Sequence, residues 1–155
     1  MMPREITHEV MNILELPLKK REFDIFTKCF CTEDEFGNPQ LDFEKIMPVP
    51  DHIFLPTKWK YENWGTRYNA FETVIDRTNR TIYFKTLWCA PHKVLRCLSL
   101  FTHTSLLHKW CGETDGFNVG TVMYHETGRV IYNIPTWNSD PAYALSRTIR
   151  KEYAA

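Results

Sequence analysis

Phe71-Glu72-Thr73-Val74-Ile75-Asp76, Arg77-Thr78-Asn79-Arg80, then Thr81-Ile82-Tyr83-Phe84-Lys85-Thr86-Leu87-Trp88 is the stretch whose reading decides the fold. Two runs rich in β-branched and aromatic residues flank a short polar link, which predicts a β-hairpin. Pro91 follows where a helix's first turn can accept proline, since no intrahelical partner awaits its missing N–H. Val94, Leu95, Leu98 and Phe101 then recur at helical spacing, and residues 105–111 read as a strand.

Working outward, residues 5–16 alternate as a strand, with Val10, Leu14 and Leu16 facing one way and Met11 and Ile13 the other. Apolar residues on both sides predict a strand covered on both faces. Residues 18–31 place Phe23, Phe26 and Phe30 on one helical stripe, with Lys19, Lys20, Arg21 and Lys28 largely outside it. The resulting core order, β-α-β-β-α-β, is the split βαβ or ferredoxin-like arrangement, an α+β fold. A long insertion, about residues 32–70, precedes the central hairpin. Within it residues 32–40 read as an acidic surface loop and residues 41–46 as a short edge strand. Residues 51–59 read as a helical turn interrupted by Pro56. After the core, residues 119–125 and 130–134 predict a second hairpin. Asn138 or Ser139 then caps a C-terminal helix, about 139–153, with Ala142, Leu145, Ile149 and Tyr153 on its apolar face. With 155 residues, the expectation is one domain over 1–155.

Net charge is zero, but it is unevenly spread. Residues 1–55 carry 6 basic and 11 acidic side chains, residues 56–109 carry 9 and 3, and residues 110–155 carry 4 and 5. Neutrality speaks against general coating of nucleic acid, which requires many phosphates to be neutralised together. From Arg77 to Lys109 there is no carboxylate, so Arg77, Arg80, Lys85, Lys93 and Arg96 form a candidate basic face. No apolar run is long enough to span a membrane, and no signal-peptide pattern opens the chain, so a cytoplasmic protein is expected. The five cysteines are scattered and read mostly as small buried hydrophobes.

The candidate recognition surface lies on either side of the hairpin. Asn63-Trp64-Gly65-Thr66-Arg67-Tyr68-Asn69-Ala70 and Thr86-Leu87-Trp88-Cys89-Ala90-Pro91 gather indoles, a phenol, a guanidinium and amides. Trp64, Arg67, Tyr68 and Trp88 could form a partner-binding patch held by Asn63 and Asn69, because Trp, Tyr and Arg dominate binding energy at interfaces. The structural alternative is a clasp that fixes the insertion onto the sheet. Gly65 predicts a turn that a larger residue would resist.

Together with Leu41-Asp42-Phe43-Glu44-Lys45-Ile46-Met47-Pro48-Val49-Pro50 and the later Gly116-Phe117-Asn118-Val119-Gly120, these motifs resemble the YubB ferredoxin-like family. That family shows a DF-x-x-I-x-P-x-P stretch, an NWGTKW-N-A motif and a T-x-W-x-x-P motif, in this order. Tyr68 stands here in place of the usual tryptophan, and the family's usual N-terminal segment is absent. The resemblance implies a ferredoxin-like fold in a small accessory protein of phages and plasmids, with no established catalytic residues. By analogy it implies a stoichiometric inhibitor that docks on a host defence protein, an anti-CRISPR or similar counter-defence factor.

Other chemistries find less support. Cys89-x2-His92 and His108-x2-Cys111 have formally attractive metal-ligand spacing, but His108 and Cys111 fall on opposite faces of a strand. No metal and no cofactor is expected. None of the six histidines falls in a nucleophile motif, and no phosphate-binding glycine loop is present, so a non-enzymatic role is expected. A nucleic-acid module stacking bases on sheet aromatics beside the 77–109 basic run is the second reading. A nucleotide or small-molecule binder centred on Trp64 and Trp88 is the third.

Overall fold

A computed structural model describes residues 8–154; residues 5–7 of the expected first strand, like Met1 to Arg4, lie outside them. Strand β1 (Glu9–Glu15) is central in a six-stranded sheet, as its two apolar faces require. The hairpin read from the sequence is present as β4 (Phe71–Asp76) and β5 (Thr81–Leu87), and β5 pairs antiparallel with β1. On the other side β1 pairs with β6 (Leu106–Cys111), followed by β7 (Val119–Tyr124) and β8 (Val130–Asn133). The order β4-β5-β1-β6 is that of a ferredoxin-like sheet, here extended by β7 and β8.

Helices α1 (Lys20–Phe30) and α3 (His92–Thr102) cover one face. Their buried residues (Phe23, Phe26 and Phe30; Val94, Leu95 and Leu98) form one core with Val10, Leu14, Ile82, Phe84, Trp110 and Val122 of the sheet. The C-terminal helix α4 (Asp140–Ala154) covers the other face, where Ala142 and Ile149 pack on Ile13, Cys111 and Val119. Ser139 Oγ accepts from the Ala142 amide at 3.3 Å and caps that helix.

Several sequence expectations change. Residues 32–40 are not a plain loop. They belong to a small hairpin, β2 (Cys31–Glu33) with β3 (Pro39–Leu41), whose turn is tied by Asp34 Oδ1 accepting from the amides of Phe36 and Asn38. The strand expected over residues 41–46 stops at Leu41. Asp42 Oδ1 accepts from the Glu44 amide and bends the chain into a 3-10 turn at Phe43–Lys45, which puts Phe43 into the core. Pro56 does not interrupt a helix but starts one: α2 (Pro56–Trp64) has proline at its first position and runs into the aromatic motif. Phe101 is 73% exposed. The buried stripe of α3 centres between Leu95 and Leu98, which leaves Phe101 about 90° away at 100° per residue.

Candidate functional site

The two motifs meet in space, because the end of α2 abuts the start of α3. Gly65 ends α2 at φ 86, and a Cβ there would stand 3.3 Å from the backbone nitrogens of His92 and Lys93. Both the left-handed conformation and the close approach therefore favour glycine. Lys93 Nζ donates to the Glu62 carbonyl at 2.8 Å, and Thr66 Oγ1 donates to the Leu87 carbonyl at 3.3 Å.

Trp64 is not on the surface. It is fully buried, donates from Nε1 to the Met47 carbonyl at 2.9 Å, and meets Phe43 and Trp59 edge to face. This corrects its place in the expected binding patch: the indole anchors the insertion to the core. Asn69 does similar work. Asn69 Oδ1 accepts from the Phe43 and Ala70 amides, both at 2.9 Å, while its Nδ2 donates to Asp42. Asn63 donates to the Trp59 carbonyl within α2. So the clasp reading describes Trp64 and Asn69, while Asn63 braces only its own helix.

The remaining members face solvent. Trp88 is 53% exposed, and Tyr61, Arg67 and Tyr68 are exposed with it. The Arg67 guanidinium lies 5.3 Å from the Tyr61 ring centre. Trp88 has a positive φ of 68, and Cys89 N donates to Leu87 O at 2.8 Å across it, forming the rarer, strained kind of γ-turn. Thr86 Oγ1 donates to Cys89 O at 2.8 Å, the Trp88 amide donates to His8 O at 2.7 Å, and Asn118 Nδ2 donates to Trp88 O at 3.0 Å. Beside the indole a cavity of about 410 Å³ is lined by Tyr61, Gly65, His92, Lys93, Asn118 and Trp137, among others. A second hollow of about 340 Å³ lies between Leu55, Lys58, Tyr61 and Arg67, so Tyr61 joins the two into one face.

Sequence reasoning missed Trp137, which is 59% exposed and set edge-on to Phe117. A tryptophan in the link Pro135-Thr136-Trp137-Asn138, outside any strand or helix, was the available signal.

Beneath this face runs a buried polar chain that the sequence did not announce. Asn12 Nδ2 donates to Thr86 Oγ1 at 3.0 Å and to Val10 O at 3.1 Å. Its Oδ1 therefore accepts, and His108 Nε2 donates to it at 2.9 Å, which leaves His108 Nδ1 buried without a partner. His92 lies next to His108 with ring centres 5.7 Å apart, and the Tyr124 hydroxyl reaches the His92 carbonyl and ring. Burial, then the neighbouring His92, holds His108 well below the usual imidazole range; burial also lowers His92. The metal-ligand spacing thus half converges: the histidines meet, but His108 points to the α3 side of the sheet while Cys111 packs under α4. Among the described residues no three His, Cys, Asp or Glu side chains gather as a metal site. Burial raises the Cys31 and Cys111 thiols to about 11, which leaves them poor nucleophiles.

The candidate basic face is dispersed. Arg77 pairs with Asp24 at 2.7 Å. Lys85 stands on the α4 side between Glu9 and Glu72, at 3.1 and 2.7 Å. Arg80 turns back to the Thr78 carbonyl, while Lys93 and Arg96 project from α3 on the opposite side of the sheet. A gap in carboxylates along the chain does not make a patch in space, since alternate strand positions diverge.

The family model described as the ferredoxin-like domain in Api92-like protein matches residues 64–149, more than half of the chain. The chain belongs to that family. The Api92-like match opens at Trp64 and closes within α4, so it takes in the anchor indole, the exposed Trp88 and the helix that covers the second sheet face. No curated protein and no solved structure matches the chain. No helix among the described residues is long and apolar enough to cross a membrane.

Proposed function

We propose that this protein is a non-enzymatic binding module that docks on a host protein through the face of Tyr61, Arg67, Tyr68, Trp88 and Trp137. The observation that carries the reading is Trp88. Three hydrogen bonds to its own and adjoining backbone hold a large aromatic residue in a strained turn with half its surface in water. Strain kept at an exposed aromatic anchor is a mark of a recognition site. Lys58, Arg67 and Lys93 border the same face, with Glu62 as the nearby carboxylate, so the partner surface it suits is acidic. The resemblance to the YubB family supports a finer reading: an accessory protein of a phage or other mobile element acting in the host cytoplasm as a stoichiometric inhibitor of a defence protein.

A photo-crosslinking residue placed at Tyr68, with Ile25 as an exposed control on α1, identifies the partner. Binding is then measured with that partner purified. Trp88→Ala should weaken it about 10- to 100-fold, as expected for an aromatic anchor, while leaving the melting temperature nearly unchanged. Unaltered affinity in both Trp88→Ala and Arg67→Ala would remove the proposal.

One observation favours a second reading. The 410 Å³ cavity, with Trp88, Trp137 and Tyr61 around Lys93, suits a planar anionic molecule such as a nucleotide. Quenching of tryptophan fluorescence by nucleotides in wild type, lost in Trp88→Ala, is its signature. The nucleic-acid reading draws less from the structure. Helix α4 lies over the sheet face it would use, where Tyr83 packs on Tyr153 of that helix, and Lys85 and Lys109 are each held by two carboxylates.

A further inference from the structure

The two edges of the sheet are finished differently. At β4 the edge is closed. The register breaks between Phe71 and Val74, Glu72 takes a positive φ of 49, and the Thr73 amide donates to Gln40 Oε1 at 2.9 Å. Thr73 Oγ1 in turn accepts from the Leu41 amide at 3.0 Å, so the β2–β3 hairpin is tied along that edge. Bulges, charges and covering segments are the usual ways of preventing an edge strand from pairing with another chain. Among the described residues the opposite edge, β8, has none of them. It is regular against β7, and among the described residues no side chain hydrogen-bonds to the backbone of Val130 to Ile134. Ile131, Tyr132 and Ile134 are 50%, 57% and 51% exposed. From Val130 to Ser139 there is no charged side chain.

We propose that β8 pairs antiparallel with β8 of a second copy of this chain, giving a two-fold dimer with a sheet continuous across both molecules. A second copy suits this edge better than an unrelated strand because of charge and symmetry. A two-fold contact sets a surface against itself, so any charge it carries meets its like. The 130–139 stretch avoids this, with Arg129 kept at its end. A two-fold axis normal to the sheet also keeps the α4 side of one copy flush with that of the other. The row Leu107–Met123–Ile131 then continues into the same row of the second copy. A strand of four residues makes a small interface, at the low end of specific contacts, so the dimer forms at about micromolar concentration or above.

The test is sedimentation equilibrium from about 1 to 500 µM, spanning the affinity such an interface supports. Wild type should pass reversibly from monomer to dimer. Ile131→Lys should remain monomeric with an unchanged circular dichroism spectrum and melting curve. Across the proposed axis residue 131 of each copy lies directly opposite or diagonal to that of the other, so like charges repel. Ile131→Glu alone should also be monomeric, and an equimolar mixture of the two variants should recover dimer, which no folding defect could mimic. A wild-type monomer throughout, an open-ended assembly, or an Ile131→Lys protein that dimerises as wild type does would overturn the proposal. So would failure of the mixture to pair.

Discussion

Trp64 and Trp88 lie in two neighbouring motifs and do opposite things, and the difference is measurable by stability alone. Trp64 fills the core between Phe43 and Trp59 with its N–H satisfied, so Trp64→Ala leaves a large cavity and orphans the Met47 carbonyl. Its expected cost is about 3–5 kcal/mol, read from urea denaturation. Trp88→Ala removes a half-exposed ring and should cost less than about 1 kcal/mol, as surface substitutions do. Equal losses from the two would contradict the distinction between anchor and docking residue. Gly65→Ala belongs with the anchors. Its positive φ and the 3.3 Å approach of the α3 backbone predict a loss of about 1–2 kcal/mol, of the size that strained backbone carries.

At the scale of elements, the insertion has one short ladder, β2 with β3, and is otherwise held largely by side chains reaching backbone. Asn69 is the central tie, linking Asp42, the Phe43 amide and Ala70. Asn69→Ala leaves the Phe43 and Ala70 amides without partners and should cost about 1–3 kcal/mol. The loss should be local: hydrogen exchange at Phe43 and Ala70 accelerates, while β1, β5 and β6 keep their protection. Uniform acceleration across the sheet would show instead that the insertion and the core unfold as one unit. The same contrast explains what could be read from the chain. Period-two and period-3.6 patterns announced β1, the β4–β5 hairpin, α1, α3 and α4, because those elements bury a regular face. The insertion obeys local side-chain chemistry: Asp42 turns a would-be strand into a 3-10 turn, and Pro56 opens a helix that the aromatic motif completes. Aromatic content singled out two segments that meet where α2 abuts α3, but burial divided Trp64 from Trp88, and burial depends on how α2 meets α3. Trp137 reaches the site only through the fold of the last link, far away in sequence.

For the molecule as a whole, the layer between sheet and α3 holds neutral imidazole where most proteins place hydrocarbon. His108 is fully buried, bound to Asn12, stacked on Trp110 and edge-on to His92; Tyr124 and Asn12 are the polar groups around the pair, and no carboxylate is bonded to either ring. Both histidines have folded pKa values below the unfolded value of about 6.5, from burial first and, for His108, then from its neighbour. The unfolded chain therefore binds more protons as pH drops through 6.5. Their contribution to stability is complete above that pH and is lost as pH falls. The urea midpoint should be flat from about pH 8 to 7 and decline between about pH 6.5 and 5, ahead of most carboxylate titration. His108→Gln keeps a donor within reach of Asn12 but cannot titrate, so it should lower stability at neutral pH and flatten the decline. A wild-type midpoint constant down to pH 5, or an equally steep decline in the variant, would mean that the buried pair does not govern the acid response.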